Sequence, residues 1–155
     1  MAFSAGDLID RARRSRENFL KHIEGLRDDQ WNWKPYPECK SISETLGHLV
    51  GVDRAFLFSL ETGKSPDYES LMEPAQDKER LLEKLAESHK NLVTFLDGRF
   101  RNVALETPVP FFGEQTPLGI ALADLTSEDS YHSGQVAYIR MATDPQWDYY
   151  AAIYS

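Results

Sequence analysis

Two short stretches decide both the fold and the chemistry of this chain: Ser41-Ile42-Ser43-Glu44-Thr45-Leu46-Gly47-His48-Leu49 and Glu128-Asp129-Ser130-Tyr131-His132-Ser133-Gly134-Gln135. Each has helical periodicity, and each places a histidine on the same helix stripe as a carboxylate four residues earlier. Two imidazoles and a carboxylate from different helices can hold a divalent metal and leave coordination positions open for water or substrate. The two stretches therefore pose a choice between a metalloenzyme and an inert helical bundle.

Apolar periodicity around these stretches predicts four long amphipathic helices. The second helix begins at Ser41, which forms a capping box with Glu44, and ends at Thr62-Gly63. The fourth begins at Thr116-Pro117, where a capping residue precedes a proline. The other predicted bounds are about residues 4–27 for helix one, residues 76–101 for helix three and residue 142 for the end of helix four.

The connections between these helices complete the predicted fold. The aromatic, proline-containing connector of residues 31–37 is predicted to pack over one end of the bundle. Residues 64–75 contain two prolines and are long enough for a crossover connection rather than a tight hairpin. Residues 103–116 change to short extended segments with turn residues, which predicts an irregular or β-hairpin insertion before helix four. The aromatic tail after residue 142 is predicted to pack on the surface. The sequence thus predicts an all-α four-helix bundle.

Composition narrows the classes of function. The 155 residues carry no Ser/Gly/Pro-rich linker, so residues 1–155 are expected to form a single domain. The net charge of −8 and the dispersed basic residues argue against a nucleic-acid partner. The opening segment has no apolar leader pattern, and no stretch is apolar enough for a membrane span, so we expect a cytoplasmic protein without a membrane partner.

On helix four, five polar residues lie within an arc of about 100° at 3.6 residues per turn: Asp124, Glu128, Tyr131, His132 and Gln135. Apolar residues border this stripe, so we expect it to face inward. Buried ionisable groups cost several kcal/mol unless they are paired or bound to a metal. The stripe therefore indicates either a metal site or a hydrogen-bond network with water.

His48 is the natural partner from helix two, although a lone helical histidine is more often structural. Glu44 lies one turn before His48. It is either an exposed residue that only caps the helix, or a group that orients the imidazole by a contact with the ring. Glu128 and His132 also have an ordinary interpretation, because an i, i+4 pair on a solvated face contributes only about 0.2–0.5 kcal/mol. These alternatives remain open from the residue pattern alone.

Four other reactive residues are predicted to lie outside the site. The single cysteine, Cys39, excludes an internal disulfide. It lies in a proline-rich connector with no helix start or histidine beside it, although Lys40 follows, so it is not expected to be a nucleophile. His22 and His89 each lie beside a lysine and are predicted to be surface residues. Asp129 points about 100° away from the stripe and is a weaker ligand candidate than its neighbour.

The order and spacing of these motifs resemble the DinB/YfiT-like family of four-helix proteins over nearly the whole chain. The resemblance is carried by three segments: Trp31-Asn32-Trp33-Lys34-Pro35, Ser41-Ile42-Ser43-Glu44-Thr45-Leu46-Gly47-His48-Leu49, and His132-Ser133-Gly134-Gln135-Val136 with the Tyr138-Ile139-Arg140 that follows. It implies a bundle with a long crossover, frequent homodimers, and a divalent metal, often nickel or zinc, bound by three histidines.

Two of the three family histidines match His48 and His132. The third is expected four residues before His132, where this chain has Glu128. The resemblance therefore implies a site of two histidines and one glutamate, with Tyr131 and Gln135 bordering its cavity. A carboxylate ligand shifts preference towards harder ions, so iron and manganese join zinc and nickel as candidates, and it is also compatible with a member that has lost its metal.

Characterised relatives in this family transfer groups to or from low-molecular-weight thiols or hydrolyse their substrates. The resemblance thus implies a metal-dependent S-transferase or hydrolase that acts on a small molecule, with a thiol as a possible cosubstrate. The alternative is a metal-free bundle with a vestigial site, which binds a small ligand or serves as a stress-related interaction protein. Metal content separates the two interpretations.

Overall fold

The computed structural model describes residues 3–75 and 77–155 as a mainly helical protein with one small hairpin. The elements in chain order are α1 Ala5–Ile23, α2 Asp28–Trp31, α3 Ile42–Thr62, α4 Tyr68–Leu71, α5 Lys78–Phe100, β1 Pro108–Phe111, β2 Glu114–Pro117, α6 Leu118–Thr143 and α7 Tyr149–Tyr154. Helices α1, α3, α5 and α6 form the bundle, which confirms the predicted all-α class. The start predicted for the third long helix, residue 76, lies outside the described residues.

Local sequence signals set the ends of α3. The N–H of Glu44 donates to Ser41 Oγ at 3.2 Å, and the N–H of Ser41 donates to a Glu44 carboxylate oxygen at 2.8 Å, which completes the predicted capping box. Gly63 ends the helix in the left-handed conformation, with φ of 73°. Both predicted ends of this helix are therefore confirmed.

The start of α6 differs from the prediction. Thr116 pairs with Val109 in the hairpin and belongs to β2, so it does not cap the helix. The first-turn donors are satisfied by the preceding loop, because the N–H of Leu118 donates to the carbonyl of Thr107 and that of Gly119 to the carbonyl of Leu105, each at 2.9 Å. Backbone carbonyls here replace the side-chain cap that the sequence predicted.

The long helices form two parallel pairs. Arg16 of α1 bonds Asp129 of α6, and the carbonyl of His22, further along α1, accepts from Arg140, further along α6. The early halves of α3 and α5 likewise share one apolar cluster, and their later halves share another. Consecutive parallel helices need a long connection, so the α3–α5 pair confirms the predicted crossover.

The crossover runs back along α3 and packs directly on its backbone. The N–H of Glu73 donates to the carbonyl of Gly47 at 3.2 Å, and Arg54 donates to the carbonyl of Leu71 at 3.0 Å. A Cβ at Gly47 would lie 2.1 Å from the Glu73 carbonyl oxygen, so only glycine permits this approach. The one-turn helix α4 is thereby held over the middle of α3.

A buried ion cluster joins all four long helices. The guanidinium of Arg16 on α1 makes hydrogen bonds of 3.0 and 3.1 Å to Asp53 on α3 and of 2.9 Å to Asp129 on α6. Ser88 on α5 donates to Asp53 at 2.8 Å. Burial favours the neutral acid, but Arg16 and His89 outweigh it and lower the pKa of Asp53. No pattern in the sequence predicted that these residues would form a cluster.

The two histidines predicted to be surface residues are not. His22 is only 2% exposed, and its Nδ1–H donates to the carbonyl of Asn18 at 2.8 Å. His89 is mostly buried, with Nδ1 3.6 Å from a carboxylate oxygen of Asp53. An exposed lysine does not show that the histidine next to it is exposed, because adjacent helical residues point about 100° apart.

The aromatic tail after α6 packs on the bundle, as predicted. Its helix α7 lies against α1, and Ile153 of α7 is buried there. Among the described residues, no helix is both long enough and apolar enough to cross a bilayer.

Replacing Gly47 with alanine should destabilise the protein by about 1–3 kcal/mol, because the new methyl group overlaps the Glu73 carbonyl and must displace the crossover. Gly98→Ala is the matched control. Gly98 lies in α5, where an added Cβ would meet no atom within 4 Å, so this variant should gain about 0.5–1 kcal/mol of helix stability. Urea unfolding measures both; equal effects would contradict the close approach.

Arg16→Met should destabilise the protein by about 3–5 kcal/mol, because it leaves two buried carboxylates without their cation. Arg13→Met removes a cation whose ion pairs with Asp10 and Asp97 are about one third exposed, and it should cost less than about 1 kcal/mol. Thermal and urea unfolding of both variants measure the two losses of stability. Similar losses would show that burial does not determine how much these ion pairs contribute.

Candidate metal centre

Three ligand-type side chains converge between α3 and α6. Glu128 Oε2 lies 3.5 Å from Nε2 of His48 and 3.6 Å from Nε2 of His132, and the imidazole centroids are 4.7 Å apart. One ligand atom from each residue lies within 4.8 Å of the other two. Zinc ligands at about 2.1 Å in a tetrahedron are separated by about 3.4 Å, so this spacing suits a small divalent ion.

Hydrogen bonds on the far side of each ring orient the imidazoles. His132 Nδ1–H donates to the amide oxygen of Gln135 at 2.7 Å. The Tyr68 hydroxyl donates to the backbone carbonyl of His48 at 3.3 Å, which leaves its oxygen to accept from His48 Nδ1–H at 2.7 Å. With the proton on Nδ1 in both rings, each Nε2 can present a lone pair to a metal ion that also binds Glu128. The donor set therefore fits a divalent metal.

Charge at the centre is set by Glu128 and Tyr68. Without a metal, hydrogen bonds from the imidazoles of His132 and His48 lower the pKa of Glu128 to about 2, although partial burial acts in the opposite direction. Burial, together with the nearby Glu128, raises the pKa of Tyr68 to about 12. At neutral pH the glutamate is therefore an anion that can bind a cation, and the tyrosine keeps the proton that it donates to the His48 carbonyl.

The three residues open into a cavity of about 960 Å³, a size typical of small-molecule sites. Its wall includes Tyr131, Gln135, Tyr138 and Ile139 of α6, and Pro35, Tyr36, Glu38, Cys39 and Lys40 of the connector before α3. Tyr131 and Gln135, which were predicted to border a metal cavity, are part of this lining. A substrate can thus reach the ligand atoms from solvent.

Glu44 lies elsewhere. Its carboxylate accepts from the N–H of Ser41 and from Lys34 Nζ at 2.7 Å, and it is not part of the cavity lining. These two contacts lower its pKa, with the lysine as the larger cause. Of the two roles considered for this residue, the structure supports the helix cap, because both carboxylate oxygens are occupied away from His48.

The polar stripe of α6 faces the cavity rim rather than the core. His132 is buried, Glu128 and Gln135 are half-buried, and Asp124 and Tyr131 are exposed. The inward face of α6 instead carries Asp129, which the ion pair with Arg16 makes tolerable there. The stripe was expected to face inward, but the face of α6 that is buried lies next to it and includes Asp129. The sequence did not indicate this, because a charged residue in a buried ion pair cannot be distinguished from a surface residue by its type alone.

Sequence reasoning missed two parts of the site. Tyr68, which orients His48, comes from the crossover, where no periodicity indicates which face a residue occupies. The connector before α3 was predicted to cover one end of the bundle, yet its later part forms a wall of the cavity, and Cys39 is exposed there. A sequence signal that could have indicated this contact is the pair of glycines Gly47 and Gly51 on α3, which the crossover contacts.

The fold and the site define a helical bundle with a candidate divalent-metal centre between two helices. The family model of the DinB superfamily matches residues 11–136, which include all three ligand-type residues. The chain belongs to the DinB superfamily, as the resemblance of its motifs indicated. A search of curated proteins finds no match.

Tyr68→Phe should weaken metal binding about 10- to 100-fold, because His48 loses the hydrogen bond that fixes its ring and its tautomer. Tyr138→Phe is the control, since this tyrosine lines the cavity of about 960 Å³ without a hydrogen bond to either imidazole. Competition titration with a metal chelator gives both affinities. Equal affinities in the two variants would show that Tyr68 does not orient a ligand.

Proposed function

We propose that this protein is a divalent-metal-dependent enzyme of the DinB superfamily that uses His48, Glu128 and His132 as metal ligands. The observation that carries the proposal is the convergence of three oriented ligand atoms beside an open cavity. A purely structural ion would need a fourth protein ligand. Among the described residues, the ligand-type cluster contains three, which leaves a position for a small molecule.

The proposed reaction class is thiol-dependent group transfer or hydrolysis. A divalent ion held by these residues supplies a Lewis acid that lowers the pKa of a thiol or water. The chain contributes orientation and charge. Tyr68 and Gln135 fix the two imidazoles through Nδ1, and the Glu128 carboxylate is ionised at neutral pH and supplies a negative charge. Tyr131 and Tyr138 offer aromatic walls for a small organic substrate.

Glu128 bears on the choice of metal. A site of two imidazoles and one carboxylate is found with catalytic zinc and also suits iron and manganese, whereas nickel is favoured by the imidazole-rich family pattern. Zinc, nickel, iron and manganese all remain candidates, as does a low-molecular-weight thiol as cosubstrate. A homodimer is part of the same proposal, and it rests on the resemblance alone.

Tag-free protein should contain close to one divalent ion per chain by inductively coupled plasma mass spectrometry. His48→Ala and His132→Ala should each lose it while keeping their helical circular dichroism, because these ligands lie at the cavity edge. Glu128→His should retain metal, since imidazole can replace carboxylate as a ligand. His22→Gln is the control and should retain metal as well, because His22 lies outside both the site and the ion cluster.

Metal-free protein that takes up no added zinc, nickel, iron or manganese would overturn the enzyme proposal. It would favour the metal-free bundle, in which protonated histidine pairs with Glu128 beside the same cavity. Metal that stays bound in both alanine variants would show that it is held elsewhere. If metal is bound as expected, screening with thiol and hydrolase substrates separates transfer from hydrolysis.

A further inference from the structure

A second cavity, of about 420 Å³, also reaches the candidate centre. It shares His48 and Glu128 with the larger cavity, and its other lining residues come from α3, α4, α6 and the hairpin. His132 does not line it. The same two side chains are therefore accessible from two cavities with different walls, and the second is large enough for a small organic ligand.

Three phenylalanines form one wall of this cavity. Phe111 and Phe112 of the hairpin pack edge to face, with ring centroids 4.6 Å apart. Both also pack against Phe56 of α3, at 5.0 and 5.6 Å. Phe56 and Phe111 are buried in the core, whereas Phe112 is only partly buried and covers them. The cavity thus offers an aromatic surface that suits a planar apolar group.

Phe112 occupies a backbone position that does not suit phenylalanine. The hairpin turn consists of Phe112 and Gly113, with φ of 49° and 83°. Two-residue turns with positive φ at both positions favour asparagine, aspartate or glycine at the first. A bulky residue in the left-handed region costs about 1–2 kcal/mol. Such a strained residue beside a cavity points to a role for its ring in binding.

The structure holds this strained turn in place on both sides. The N–H of Phe112 donates to the hydroxyl of Ser59 on α3, and its carbonyl accepts from Ser65 at 2.7 Å. Both backbone polar groups are thereby satisfied by side chains of the helix and the crossover. These bonds fix the backbone of the turn at Phe112, from which the ring extends to the cavity wall.

The acidic side chains of the second cavity favour a cation, and Asp124 remains available to one when Glu128 holds a metal ion. Asp124 and Glu128 line it, and no lysine or arginine is part of its described lining. The faces of the three phenylalanine rings also attract an ammonium group. The larger cavity differs, because Lys40 contributes a positive charge to its wall. A ligand with an aromatic ring and one ammonium group matches both features of the second cavity.

We propose that this second cavity is a binding subsite for a small arylalkylamine, and that Phe112 is the residue that determines its specificity. The ring packs against Phe56, Phe111 and Phe112, and the ammonium group pairs with Asp124. The subsite goes beyond the proposed metal function and does not require a metal. It brings a second small molecule next to His48 and Glu128, which both cavities share.

Benzylamine is the probe, and titration calorimetry together with amide chemical shifts measures its binding. The wild type should bind it saturably, with shifts centred on the turn and the middle of α3. Phe112→Asn should weaken binding at least tenfold while leaving the thermal midpoint unchanged or higher, because asparagine tolerates the left-handed backbone. Unchanged affinity in this variant would overturn the proposal.

Asp124→Asn provides a second variant that does not depend on the strained turn, since Asp124 is an exposed residue of α6. It should weaken benzylamine about two- to fivefold, because ion pairs of exposed groups are weak, and leave the binding of uncharged benzyl alcohol unchanged. His132→Ala should retain benzylamine, which distinguishes this subsite from an amine bound to a metal. No saturable binding by the wild type, or loss in His132→Ala alone, would contradict the subsite but leave the metal proposal standing.

Discussion

The buried ion pairs of Arg16 are the interaction on which the arrangement of this bundle depends. Apolar side chains on a helix can slide past their neighbours at modest cost, but a buried guanidinium must meet its carboxylates at one register. Arg16 meets Asp53 on α3 and Asp129 on α6, and Ser88 on α5 adds a bond to the same Asp53. The cluster centred on this side chain therefore fixes the relative heights of four helices.

This register also determines the candidate centre. Glu128 directly precedes Asp129, and His48 lies five residues before Asp53. A shift of α3 against α6 by one residue would move His48 by about 1.5 Å along the axis and rotate it by about 100°. The 3.5 Å distance between His48 and Glu128 and the 4.7 Å distance between the two imidazole centroids would be lost. The ion cluster thus acts as the support of a site that it does not touch.

Much of this fold follows from local sequence signals, and the missing parts share a physical cause. The capping box at Ser41, the glycine at the end of α3 and the hairpin depend on neighbouring residues, so the sequence predicts them. Pairing among Arg16, Asp53 and Asp129 depends on residues more than thirty positions apart, each of which resembles a surface residue by itself. Tyr68 was missed because a connection has no periodicity that indicates its packing.

The two parallel helix pairs have a consequence for how the chain folds. An up-and-down bundle can form from sequential hairpins, but here α1 packs along α6, and Arg16 and Asp129 are 113 residues apart. Contacts of such long range raise the contact order, which slows folding relative to a helical bundle of equal length. During synthesis, α1 must wait until the 113 residues that follow Arg16, up to Asp129, have been made before its partner exists. Until α6 emerges, the guanidinium of Arg16 has at most one of its two carboxylates, and the candidate centre lacks Glu128 and His132, so both assemble only after α6 is made.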